Sequence, residues 1–177
     1  LKSKPALTVS LTALFAALYA VGVVALAPIS FYVLQVRVVD ALLPLAVLFG
    51  WPAVLGLSLG AFVANFFGGL GWVDVVGGTV ANFVATYIAW RIGQRRARGM
   101  QLLAVATEIV VVSLIVGDYL SYLFQIPLEV GVIGVLTGSV VAIGVLGYAL
   151  LLVMSRSVIA GRLRSFGLIG YLEKSQT

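Results

Sequence analysis

Four stretches of this chain carry no charged side chain: residues 5–36, 41–73, 75–90 and 130–155. A helix needs about 20 mostly apolar residues to cross the hydrocarbon core of a bilayer, and the second stretch is long enough for two short helices. The strands of an outer-membrane barrel alternate apolar and polar residues, whereas these stretches are continuously apolar. The chain therefore reads as an all-α integral membrane protein, with lipid as its solvent. Composition agrees: 62% of residues are hydrophobic and 10% charged, against roughly 45–50% and about 25% in an ordinary soluble domain.

Prolines, glycines and polar residues divide the chain into six expected spans, near 5–27, 38–49, 52–67, 73–92, 100–123 and 129–154. The first ends at the Ala27-Pro28 step, the second is short with Pro44 inside it, and Pro52 suits a first helical turn. The turn Gly68-Gly69-Leu70-Gly71 separates the third from the fourth. The expected architecture is one transmembrane domain over 1–177, closed by a short polar tail. Lys2 and Lys4 before an apolar stretch resemble a signal peptide, but the stretch is long for a signal core and is taken as a mature helix.

Lysine and arginine set the expected orientation, because cytoplasmic loops carry their excess. With the amino end inside, the segments around Lys2 and Lys4, residues 91–98 and residues 156–174 are cytoplasmic, and Arg37 is the only external basic residue. Both termini are then cytoplasmic, in the plasma membrane. Asp40, Asp74, Asp118 and Glu129 gather at the other surface as an acidic mouth. The net charge of +5 sits at helix ends, which favours an anionic lipid surface over nucleic acid.

The chain has no cysteine and no histidine, so thiolate nucleophiles, imidazole bases, disulfides and the usual zinc sites are excluded. No phosphate-cradling Gly-x-x-x-x-Gly-Lys-Ser/Thr loop is present. An enzyme is not expected, and neither is a cofactor or a metal. Six spans without an inverted repeat favour a subunit that borrows its energy over a self-sufficient transporter.

Several polar residues stand out against this background. Arg37 and Asp40, three apart at a helix start, suit either a structural ion pair or, with Gln35, the recognition of a polar ligand. Asn65 and Asn82 lie inside apolar spans, where an amide must find a partner; helix-to-helix hydrogen bonding and ligand binding both satisfy them. Glu108 falls roughly 12 Å into the fifth span, where an ionisable group is rare and commonly lines a path or cavity. Trp72 and Asp74 arrive together after the glycine turn, as an interface anchor or as a stacking plane with a carboxylate. In the first span Ala13 with Ala17, and Ala16 with Ala20, form small-xxx-small pairs that let another helix approach, within the chain or from a partner.

Taken in order, these residues resemble the QueT family, substrate-binding S components of energy-coupling-factor (ECF) transporters. The resemblance rests on Pro28-Ile29-Ser30-Phe31, on Gln35-x-Arg37-x-x-Asp40-Ala41-Leu42-x-Pro44, on Gly60-x-x-x-Ala64-Asn65, on Gly69-Leu70-Gly71 and on Asp74-x-x-x-Gly78. The family usually has glutamate at the position of Asp40. The resemblance implies an S-component bundle of six helices that captures a queuosine precursor, a deazaguanine base, outside the cell. It implies docking, through the first-span alanines, on one transmembrane coupling subunit and two ATPases that power release inside. The binding residues it carries over are Gln35, Arg37, Asp40, Asn65 and Asp74. Ser139 stands where the family would have glutamate, and Tyr148-Ala149 where Gly-x-Pro is usual; Glu108 is the candidate replacement charge. Another vitamin-like ligand, or a structural and assembly role without a ligand, remains as an alternative.

Overall fold

The computed structural model describes residues 5–31, 36–94 and 98–165, and among them the protein is helical throughout. The helices are α1 (Pro5–Ala25), α2 (Ala27–Ser30), α3 (Val38–Phe49), α4 (Trp51–Gly68), α5 (Trp72–Gly93), α6 (Arg98–Phe124), α7 (Leu128–Met154) and α8 (Ser157–Ser165). Five of them, α1, α4, α5, α6 and α7, are long and apolar enough to cross a membrane. Their bounds lie close to the expected spans, because charge-free length and glycine or proline punctuation are what limit a helix in lipid.

The expected second span is present with its expected bounds, as a short apolar helix. Residues Val38–Leu45 wind as a 3-10 helix and only Ala46–Phe49 as α-helix. At roughly 2.0 Å per residue for the first part and 1.5 Å for the second, α3 extends about 22 Å, short of a hydrocarbon core of about 30 Å. Pro44 contributes to this winding: it has no N–H to donate, and in a regular α-helix its ring would collide with the carbonyl of Asp40. The six-span expectation thus becomes five long helices and one short apolar one.

Close approach between helices depends on missing side chains. On α4, a Cβ at Gly56 would stand 2.6 Å from the Phe15 Cβ and one at Gly60 2.7 Å from the Tyr19 Cβ. These two glycines, four apart, form the groove that receives α1, as small residues do where lipid supplies no hydrophobic push. Phe15, Tyr19 and Val23 form the buried stripe of α1. The turn from α4 to α5 passes through Gly69 and Gly71, whose φ angles of 78° and 92° lie in the left-handed region that glycine alone enters cheaply.

Aromatic groups mark both ends of the α4–α5 hairpin. Trp51 packs on Tyr87 and Trp90, with ring centroids 5.6 and 5.3 Å apart. At the other end Trp72 packs on Phe66 at 6.1 Å. Such belts sit at the two membrane–water interfaces.

Candidate ligand-binding site

The short helix α3 places its first turn inside the bundle. Arg37, just before it, and Asp40, within it, are both buried, and they line a mostly enclosed hollow with Asn82 of α5, Val112 and Val116 of α6, and Val135 and Ser139 of α7. Its volume is about 10 Å³, room for about one water. The guanidinium of Arg37 stands 5.4 Å from the centroid of the Phe31 ring, and its Nε has no hydrogen-bond partner. Arg37 is within electrostatic reach of Asp40 and of Asp74, yet no direct ion pair joins these residues among those described. Of the two readings their spacing allowed, the direct ion pair is not seen between these described residues.

Each aspartate is held by a tyrosine from another helix. The Tyr19 hydroxyl of α1 donates to Asp40 Oδ1 at 2.5 Å, and the Tyr119 hydroxyl of α6 donates to Asp74 Oδ1 at 2.9 Å. Asp74 Oδ2 has no partner. Asn65 Nδ2 donates to the main-chain carbonyl of Asp74 at 2.9 Å, while its Oδ1 is unpartnered. Gly78 makes room for that amide, since a Cβ there would run into Asn65 Nδ2. Asn82 Nδ2 reaches the Leu57 carbonyl at 3.3 Å, so one asparagine on each of α4 and α5 bonds to the other helix's backbone. Helix stitching is present, and it leaves oxygens over.

Glu108 is fully buried, with neither carboxylate oxygen partnered. It lies within electrostatic reach of Asp40 and one turn before Val112 on the same face of α6.

Other expected positions fall elsewhere. Trp72 is not brought to this cluster: the residue is 65% exposed and its ring belongs to the aromatic belt with Phe62 and Phe66. The acidic mouth divides, with Asp40 and Asp74 inside and Asp118 and Glu129 exposed. Gln35 lies outside the described residues. Ala13 and Ala17 are exposed on α1, whereas Ala16 faces α4, its main chain within 3.3 Å of a Cβ at Gly56 or Gly60; Ala20 is half-buried.

Sequence similarity bears on the same residues. A model of the family described as QueT transporter matches residues 9–156. The chain belongs to the QueT transporter family. No curated protein and no solved structure matches it. The QueT match runs from α1 through α7 and so takes in every residue of the buried cluster. It makes the protein a multi-pass membrane transport protein, of a transporter family and not an enzyme family.

Tyr19, Tyr119 and Ser139 were not among the expected site residues. A tyrosine inside an apolar span needs a partner for its hydroxyl, and that signal was available at Tyr19. Asp118 and Tyr119 are adjacent in sequence, but only Tyr119 turns inward.

Proposed function

We propose that this QueT protein is the substrate-capture subunit of an ECF-type transporter, which binds a queuosine precursor of the deazaguanine class from outside the cell and relies on partner ATPases for uptake. The observation that carries this reading is a set of buried, unpartnered polar atoms: Arg37 Nε, of a residue that lines the hollow, with Asn65 Oδ1 and Asp74 Oδ2 on α4 and α5. An unpartnered buried polar atom costs about 1–3 kcal/mol, and three of them are expensive to keep for packing alone. A flat base edged with donors and acceptors answers them: the guanidinium can donate to a ring carbonyl, and the carboxylates can accept from ring and exocyclic N–H groups. Such a base needs far more room than one water, so its binding widens the hollow, against the side chains of Val112, Val116 and Val135.

The charge distribution gives the proposed orientation, with both termini and the arginines after α5 in the cytoplasm and Asp40 and Asp74 toward the outer surface. Ala13 and Ala17 give α1 an exposed small face for a coupling subunit, the proposed partner together with two ATPases. Trp72 is left as an interface anchor, and Gln35 remains a proposed contact. A purely structural role has the asparagine bonds between α4 and α5 in its favour, but those bonds leave the three atoms above unanswered.

The test is calorimetric binding of 7-aminomethyl-7-deazaguanine to the detergent-purified protein. Asp40→Asn and Asp74→Asn should each weaken it by about 10–100-fold, the worth of a hydrogen bond to a charged group. Unchanged affinity in both variants would sink the proposed site. Native mass spectrometry of the purified protein tests the ligand class independently, and a co-purifying vitamin would move the reading to a different ligand.

A further inference from the structure

A groove of about 820 Å³ opens between α5, α6 and α7. Its walls are largely apolar: Trp72 and Val76 of α5, Leu114 of α6 and Leu128 of α7 line it, and all four are exposed. Its inner wall includes Tyr119, whose hydroxyl bonds to the fully buried Asp74. The groove thus backs onto the buried cluster, yet it shares no lining residue with the hollow at Arg37.

One charged side chain stands in this lining. Asp118 is exposed, and no hydrogen bond or ion pair reaches its carboxylate among the described residues. It precedes the end of α6 at Phe124 by six residues, about 9 Å along the axis, and Leu114 continues the wall one turn deeper. Trp72 belongs to the aromatic belt at this end of the bundle, so the carboxylate stands near the border of headgroups and hydrocarbon. An acidic group at that depth is costly unless a positive group meets it. The described residues do not supply one. α5 begins at Trp72, α6 ends at Phe124 and α7 begins at Leu128, so Arg91, Arg98 and the arginines after α7 lie at the opposite end. Arg37 is buried in the cluster.

We propose that this groove binds a phospholipid with a primary-amine headgroup, phosphatidylethanolamine in chemical class. The ammonium pairs with Asp118, Trp72 lies beside the headgroup, and an acyl chain follows Val76, Leu114 and Leu128. Charge selects this occupant. A primary ammonium donates N–H bonds to the carboxylate, whereas a choline headgroup carries the charge without a donor. A glycerol headgroup leaves the lipid anionic, and Asp118 repels it; Glu129, exposed in the first turn of α7, adds to that repulsion. The inference stands whatever the buried cluster binds.

The experiment is native mass spectrometry of the delipidated full chain in detergent, with dioleoyl phosphatidylethanolamine, phosphatidylcholine and phosphatidylglycerol added singly. Wild type should hold the ethanolamine lipid about tenfold more tightly than either of the others, the factor of one hydrogen bond to a charged group. In Asp118→Asn the three lipids should fall within about threefold of one another, while Asp118→Glu keeps the preference. An unfolding midpoint of Asp118→Asn that equals wild type without lipid shows the variant to be folded. Leu114→Trp fills the groove with Asp118 in place and should also remove the preference. Equal retention of the three lipids by wild type would overturn the inference and leave the groove to a partner helix with a basic side chain; this arm needs no variant. A preference that survives Asp118→Asn would overturn it too, and one untouched by Leu114→Trp would place the headgroup contact outside the groove and overturn the site.

Discussion

Substitution of Gly60 by alanine should disturb the bundle and the ligand site at once. A Cβ at this position would lie 2.7 Å from the Tyr19 Cβ, 2.8 Å from the Ala16 carbonyl oxygen and 3.2 Å from the Ala16 Cα. Carbon atoms in ordinary contact are about 3.5–4.0 Å apart, and none of these atoms is the far end of a flexible side chain, so α1 itself must retreat by about 0.7–1 Å. Overpacking of this kind costs about 1–3 kcal/mol. The Tyr19 hydroxyl, 2.5 Å from Asp40 Oδ1, moves with its helix toward the limit of hydrogen-bond length near 3.2 Å, which adds up to about 1.5–3 kcal/mol for a bond to a charged group. Alanine returns about 1 kcal/mol through its better helix propensity. The net loss is about 2–4 kcal/mol, read as a lower thermal unfolding midpoint in detergent and a weaker calorimetric affinity for the deazaguanine probe. Gly161→Ala is the control, because a Cβ there meets nothing within 4 Å. If Gly60→Ala matched Gly161→Ala in both measurements, the claim that α1 seats on α4 and thereby fixes Asp40 would be wrong.

Two further substitutions separate the roles of α1. Tyr19→Phe removes the donor to Asp40 while the ring keeps its packing, and should cost about 1–3 kcal/mol of stability together with a measurable loss of ligand affinity; intact affinity at unchanged stability would show that Asp40 needs no anchor. Ala13→Trp combined with Ala17→Trp adds bulk to the exposed face and should abolish co-purification with the coupling subunit while calorimetric ligand binding survives. Retention of the complex would remove this face as the docking surface.

The spans were legible because a helix in lipid is limited by simple quantities: apolar length, and the glycines and prolines that stop it. Even the short α3 could be read from Pro44 and the charges at Arg37 and Asp40, although its winding could not, since a 3-10 turn and an α turn of this composition look alike in sequence. Rotation about each helix axis was illegible. A helix that is apolar on every side offers no stripe to show which face looks inward, so sequence left Trp72 open between an interface anchor and a stacking plane beside Asp74, and the structure turns it to the belt. The same blindness hid Tyr119 behind Asp118, and it assigned Ala16 to docking although the α4 glycines claim it. Asn65 and Gly78 stood in two separate segments of the sequence, and the structure joins them sterically: the missing Cβ of Gly78 leaves space for the amide that reaches Asp74.

Helix α1 is where the proposed capture and the proposed docking meet. Successive residues on an α-helix are about 100° apart, so Tyr19 points about 200° away from Ala17, one on the buried stripe and the other on the exposed face. A side-chain hydrogen bond ties α1 to α3, from Tyr19 to Asp40, and α1 also packs on the glycines of α4 and on Val39 beside Gly22. A partner that shifts α1 by a fraction of an ångström therefore acts on a site carboxylate without touching it. Linkage makes the effect mutual: whatever docking does to ligand affinity, ligand binding does to docking by the same factor.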